Sequence, residues 1–169
     1  MRKLLLKGLL PPLTEAGPEA ERVEALAREL DAASRARLGR SLSIRAVDAG
    51  SCNGCELEMH ALSNAFYDLE RFGLRFVASP RHADVLMVTG PVAKNMAQAL
   101  KRTYDATPAP KWVVAVGDCA VSGGVFAGSY AVTDGAAAVV PVDLNIPGCP
   151  PTPLDLLTGL LALVTDVAR

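Results

Sequence analysis

Residues 83–89, ADVLMVT, decide the fold. Val85 to Val88 are apolar without a break, and Gly90-Pro91 ends the run. A run that short cannot be a free-standing helix, and it does not alternate as a half-exposed strand would. It reads as a strand buried on both faces, which is the condition of a parallel sheet covered by helices. Residues 111–116, KWVVAV, repeat the pattern downstream, and residues 42–47, LSIRAV, precede it. Residues 74–78 and 136–142 are the other two expected strands.

Between these runs the spacing of apolar residues becomes helical. A helix is expected over 57–72, with Leu62, Phe66 and Leu69 on one stripe and Gly73 as its stop. A second should open at Gly90-Pro91 and turn Val92, Met96 and Leu100 inward. A last helix follows Thr152, which caps it, with Pro153 in the first turn and Asp155 three residues past the cap. Leu154, Leu157, Leu161 and Val164 form its apolar stripe. Strand and helix alternate, so the expected class is α/β: a parallel sheet with helices on both faces. Ahead of it, Gly17-Pro18 opens a helix with Val23, Leu26, Leu30, Ala33 and Leu38 at helical spacing. Residues 1–17 are basic and leucine-rich. Leu4, Leu5, Leu6, Leu9 and Leu10 are too many leucines for a free tail, which favours a docking arm. The expected division is 1–40 for arm and helix, and 41–169 for the α/β domain.

The chain's 169 residues suit about one domain, and half of them are hydrophobic. The net charge of −1 leaves no electrostatic footprint for nucleic acid. No apolar run approaches the roughly 20 residues of a membrane span. The opening MRKLLLKGLL has the look of a leader, but Lys7 breaks its apolar run. Pro11, Pro12, Thr14 and Glu15 follow where a cleavage site would be, so a cytoplasmic chain is expected. Neither a G-x-x-x-x-G-K-[ST] nor a G-x-G-x-x-G stretch occurs, so nucleotide binding has no support.

There are four cysteines. Cys52 and Cys55 lie in DAGSCNGCELE, Cys119 in GDCAVSGG and Cys149 in IPGCPP, each in a Gly/Pro-rich turn after an apolar run. The pattern therefore puts all three turns at the carboxyl ends of strands, where open α/β sheets bind their ligands. A C-x-x-C pair plus two remote single cysteines can surround a cubic iron–sulfur cluster. Cys149 is followed by proline, as a ligand of the bacterial ferredoxin run is. Glycines at 50, 54, 117, 123 and 124 let backbone N–H groups approach the sulfurs. Three other readings stand beside this one. Structural zinc takes four cysteines, though usually as two knuckles. A thioredoxin-like pair would use Cys52 and Cys55 alone. The cysteines could also be small core residues. Glu56 and Glu58 fall in a first helical turn, where the dipole favours carboxylates, or they serve as a proton or partner contact beside the site. Asp118 reads as an acceptor for loop N–H groups, and His60 and His82 as surface or interface residues.

CNGCELE, GDCAVSGGVF and IPGCPPTP, taken in order, resemble the small subunit of nickel–iron hydrogenases and the homologous 20 kDa (B) subunit of respiratory complex I. The resemblance spans about residues 42–165. It implies a flavodoxin-like domain in which Cys52, Cys55, Cys119 and Cys149 hold one 4Fe–4S cluster beside the large subunit's active site. Asn53 and Gly54 separate the first two cysteines, as in hydrogenases; in the complex I subunit they are adjacent. With no twin-arginine leader and no cluster-bearing extension, the chain is similar to the short small subunits of membrane-bound, energy-converting hydrogenases such as formate hydrogenlyase. The resemblance then implies an electron-transfer subunit without catalytic residues of its own. Its partners would be a catalytic large subunit and a ferredoxin-like iron–sulfur subunit, reaching the membrane arm indirectly on its cytoplasmic face. A quinone-reducing, complex I-like subunit is the alternative within the family. A zinc-stabilised interaction module is the alternative outside it.

Overall fold

The computed structural model describes residues 18–166. The elements, in chain order, are α1 (Ala20–Leu38), β1 (Ser43–Asp48), α2 (Gly54–Ala61), β2 (Arg75–Phe76), β3 (Val85–Thr89), α3 (Lys94–Ala106), β4 (Trp112–Val116), α4 (Gly117–Ser122), β5 (Leu144–Ile146) and α5 (Pro153–Asp166). The strands form one sheet in the order β2-β1-β3-β4-β5, and every pairing is parallel. This is the flavodoxin-like order, with its switch point between β1 and β3.

β3 and β4 are the middle of the sheet, and all ten of their residues are buried. Alternate side chains go to opposite faces. Val85, Met87, Val114 and Val116 join a core formed with α1, α2 and α5, including Leu30, Met59, Leu157 and Leu160. Leu86, Val88, Val113 and Ala115 join a second core with Leu100 of α3, Val140 and Ala136. Burying each large side chain contributes about 1.5–3 kcal/mol, so a polar substitution at Leu86 or Met87 would strip one face. α1 lies on α5, and Arg37 Nη1 donates to Val164 O at 3.0 Å. Val23, Ala27 and Leu30 of α1 thus share the first core with the sheet. The leucine-rich arm lies outside the described residues.

The last helix starts as expected. Asp155 N donates to Thr152 Oγ1 at 3.2 Å, and Thr152 N donates back to Asp155 Oδ2 at 3.0 Å, a reciprocal capping box. Its buried face is wider than the expected stripe and includes Leu156, Leu160 and Leu163, while Leu154 and Leu161 are only half-buried.

Three expected elements differ. The helix over 57–72 is instead two pieces, α2 and a 3-10 turn at Leu69–Phe72. Asn64 Oδ1 accepts from Phe66 N at 2.8 Å and Tyr67 N at 3.0 Å, an Asx turn that outcompetes helical bonding. Phe66 is consequently exposed rather than inward. The helix expected from Gly90-Pro91 begins at Lys94, because Val92 sits at φ 54°, outside helical backbone; its side chain is nevertheless fully buried. The strand expected over 136–142 is a 3-10 turn at Ala136–Ala138 with Pro141 behind it, and the fifth strand is Leu144–Ile146. Proline cannot donate to a sheet ladder, so the strand forms beyond it.

Candidate metal centre

All four cysteines line one cavity of about 90 Å³ at the carboxyl edge, together with Ser51, Gly54, Gly90, Asp118, Gly148 and Pro150. Three loops deliver them. The first leaves β1, where Asp48 Oδ1 accepts from Gly50 N at 2.8 Å and from Ser51 N at 2.9 Å. Ser51 Oγ then accepts from Asn53 N at 3.0 Å. These bonds coil the backbone tightly enough to put Cys52 outside α2 and Cys55 in its first turn. The second loop is the step from β4 directly into α4, with Cys119 in the first turn. The third is the turn after β5, where Cys149 precedes Pro150.

The last two loops are tied to each other. Asp118 N donates to Gly148 O at 2.9 Å, and Gly148 N donates to Asp118 Oδ1 at 2.8 Å. Asp118 is therefore a brace between the Cys119 and Cys149 loops, and its side chain satisfies a loop N–H as the sequence suggested. Glycine shapes the floor. A Cβ on Gly117 would stand 2.5 Å from Cys55 Sγ, and one on Gly124 would stand 2.9 Å from Cys119 Sγ. Gly117 also adopts φ +83°, which a side chain resists. Backbone thus comes up against sulfur, with room that any Cβ would fill.

The thiols feel one another. Burial, then the neighbouring Glu56 carboxylate, then the other three cysteines push Cys55 from 9.0 up to about 11. Burial and Cys149 push Cys119 up, against a hydrogen bond from the Val125 backbone that favours its thiolate. Cys52 and Cys149 are exposed. Four sulfurs so gathered repel as thiolates, and a cationic group between them would reverse that repulsion. Among the described residues, no group of three or more His, Cys, Asp and Glu side chains is placed so as to hold a single metal ion.

Glu56 does more than face a helix dipole. It is buried, and its Oε1 accepts from Thr89 Oγ1, while Oε2 has no partner among the described residues. Its burial was not legible in the sequence, because a first-turn glutamate is ordinarily solvated. Glu58 is half-buried and, after burial, raises the Tyr67 phenol. His60 and His82 are exposed and outside the cysteine cavity.

A parallel sheet in this order, with thiols from three loops at its carboxyl edge, defines a flavodoxin-like α/β class. Residues 52–163 match the family model described as NADH ubiquinone oxidoreductase, 20 Kd subunit, and the chain belongs to that family. It is 43% identical over 132 residues to a probable membrane-bound hydrogenase subunit, mbhJ, of Pyrococcus furiosus, covering 78% of this chain and 79% of that one. It is 48% identical over 122 residues to the uncharacterized protein MJ0516 of Methanocaldococcus jannaschii, covering 72% and 82%. Among solved structures it resembles a chain of the membrane-bound sulfane sulfur reductase, an archaeal respiratory membrane complex, with a TM-score of 0.66 and 34% identity over 81% of this chain and 73% of that one. A chain of an NAD+-reducing [NiFe]-hydrogenase shares the fold, with a TM-score of 0.57 at 20% identity over 74% and 92%. Among the described residues no helix is long and apolar enough to cross a membrane.

Proposed function

We propose that the chain is an electron-transfer subunit holding one 4Fe–4S cluster on Cys52, Cys55, Cys119 and Cys149. Its setting is a membrane-associated nickel–iron hydrogenase complex of the energy-converting, formate hydrogenlyase type. The observation that carries this is the convergence of the four cysteines, from three separate loops, on one cavity. The all-sulfur donor set suits iron–sulfur ligation, and glycine at 117 and 124 leaves the sulfurs of Cys55 and Cys119 the room that a Cβ would take. Structural zinc also takes four cysteines, but usually as two C-x-x-C knuckles, and this chain has one. When bound, the cluster would supply one-electron storage and release. The chain's own work is positional: Asp118 fixes two loops, Asp48 fixes the third, and the glycines keep backbone amides near sulfur. Exposed Cys52 and Cys149 leave the site close to a neighbour.

No catalytic residue is assigned to this chain; turnover belongs to a large-subunit partner, with a ferredoxin-like subunit as the other electron partner. The name of the Pyrococcus furiosus relative supports the hydrogenase setting. Exposed Leu57, Val125, Phe126 and Tyr130 lie on the chain close after Cys55 and Cys119 and favour a subunit covering this edge. The leucine-rich arm 1–17 is a second docking element, and the location is the cytoplasmic face of the membrane, reached through partners. A quinone-reducing, complex I-like role is the second reading, favoured by the description of the matching family.

The test is anaerobic purification of the native assembly with metal and sulfide analysis by subunit. About four irons and four sulfides on this chain are expected, with nickel on the large subunit. Nickel absent from an otherwise complete assembly selects the quinone-linked reading. Cys119→Ser and Cys149→Ser should remove the cluster as completely as Cys52→Ser. Stoichiometric zinc without iron, or a full 4Fe–4S paramagnetic signal in the Cys119→Ser assembly, overturns the ligand assignment.

A further inference from the structure

One edge of the sheet is left half-built. β2 pairs with β1 only at Ser43 and Ile44, and the last bond between them runs from Val77 N to Ile44 O at 2.7 Å. β1 continues through Ala46, Val47 and Asp48, laddered to β3 on its other side. Where β2 stops, a cavity of about 390 Å³ opens, lined by Arg45 and His60 and walled by Ala46, Phe76 and Val77.

Arg45 differs from the exposed Arg22, Arg75, Arg81 and Arg102 in being half-buried. Arg28, Arg35, Arg40 and Arg71 each meet a carboxylate of this chain. Arg45 is half-buried on a strand, and its Nε is sealed from solvent with no acceptor among the described residues. Because Nε is enclosed by this chain's own atoms, an outside acceptor would meet the guanidinium at its two terminal nitrogens. Its forked geometry suits a carboxylate best. His60 and Ser63 add polar groups at the same cavity.

We infer that this edge is an interface for an extended, acidic segment of a partner polypeptide, whose Asp or Glu side chain takes the Arg45 guanidinium. Charge complementarity selects the acidic side chain. The strand edge beyond Ile44, unpaired among the described residues, selects an extended backbone, which can add beside Ala46–Asp48 as a further strand. Phe76 and Val77 take an apolar neighbour of the acidic residue. A free small anion would use the guanidinium but leave the apolar walls and the strand edge uncovered. The inference rests on the chain working in an assembly and is independent of what the cysteines hold, because Arg45 is not among the cysteine cavity's lining residues.

The experiment uses the native assembly with a photo-crosslinking phenylalanine analogue at Phe76. The expected product joins this chain to a partner segment carrying Asp or Glu. R45E should lower the yield of assembled complex about tenfold or more, and replacing the crosslinked acid by Arg should restore it. R45M, which keeps the apolar stem, guards against misfolding; its melting temperature should be no lower than that of the wild type, and it should still assemble poorly. Iron per assembled subunit should stay the same in both variants, so a failure of the cluster reading shows separately. Normal assembly of R45E and R45M overturns the inference. So does a crosslink to a segment without an acid, a crosslink to a second copy of this chain, or saturable binding of acetate at Arg45 in the intact complex.

Discussion

At the amino ends of the strands, Arg40 forks onto Asp84 at 2.6 and 2.9 Å, and Asp84 also accepts from Ser43 N at 2.9 Å. Asp143 Oδ2 takes Val113 N, Lys111 Nζ caps the carbonyls of Tyr104 and Thr107, and Arg37 lies over Trp112 at 5.0 Å. At the carboxyl ends the chain leaves chemistry open: Glu56 Oε2 is unpartnered among the described residues, four thiols crowd together, and Val125 and Tyr130 are 82% and 90% exposed. The same five strands carry both edges. One edge closes the fold with bonds internal to the chain; the other braces its loops through Asp48 and Asp118 but leaves the thiols and Glu56 Oε2 open, as the proposed cluster and partner require. Stability and function should therefore separate by edge under mutation.

The largest separation is expected between two glycines. Gly117 and Gly39 both have positive φ, +83° and +71°. A Cβ at Gly39, past the end of α1, meets nothing within 4 Å; at Gly117 it meets Cys55 Sγ at 2.5 Å and Gly148 O at 3.3 Å. Gly39→Ala should cost only the left-handed backbone strain, about 1–2 kcal/mol. Gly117→Ala adds overpacking of about 1–3 kcal/mol and displaces Cys55, a ligand in the proposed site. Denaturant unfolding paired with iron analysis checks this: Gly117→Ala should lose iron and Gly39→Ala should keep it. Equal iron in both would mean that close packing at the sulfur does not matter to the site.

At the closed edge, Arg40→Ala should cost about 1–3 kcal/mol by leaving the Asp84 carboxylate one backbone donor. Asp84 is 3% exposed but Arg40 is 55% exposed, so the loss should stay below that of a fully buried pair. Iron content should not change. At the open edge, Asp118→Ala removes the acceptor for Gly148 N and should cost about 1 kcal/mol, while loosening two cysteine loops at once. Iron retention after a chelator challenge should fall, and Asp118→Asn, which keeps an acceptor oxygen, should restore it. A stability loss in Asp118→Ala without faster iron loss would assign Asp118 to the fold alone.

The division between edges also explains what could be read from the chain. β3 and β4 were legible because burial on both faces leaves an unbroken apolar run. The capping box was legible because Thr152 and Asp155 are three residues apart. The meeting of the four cysteines at the carboxyl edge was legible because each sits in a turn after such a run. The break at Asn64 was not, since Phe66 and Leu69 keep helical spacing while a side-chain amide, invisible to periodicity, takes the backbone donors. The fifth strand was misplaced because Ala136–Val140 is as apolar as a strand, whereas Leu144–Ile146 has only Ile146 fully inside. The Cys55 approach to Gly117 and the burial of Glu56 arise from loops far apart in sequence, and no local pattern encodes them.

The smallest effect concerns protons. The Cys55 thiol rises from 9.0 to about 11, chiefly by burial, then by Glu56 and the other cysteines. Between those values the folded metal-free chain keeps a proton that the unfolded chain has released. The folded state binds more protons there, so stability falls as pH rises. The contribution is fully present below about pH 9 and is lost as pH passes about 11. Cys119 and Tyr67 shift in the same direction, so the useful quantity is the difference between wild type and Cys55→Ser, measured by urea unfolding of the metal-free protein from pH 8 to 10.5. Wild type should lose stability more steeply, by a modest amount because the thiol is only half-buried. Arg40→Ala, at the other edge, should leave the steepness of that dependence unchanged. A wild-type curve that coincides in slope with Cys55→Ser would mean that burial, Glu56 and the other cysteines together do not raise the Cys55 thiol.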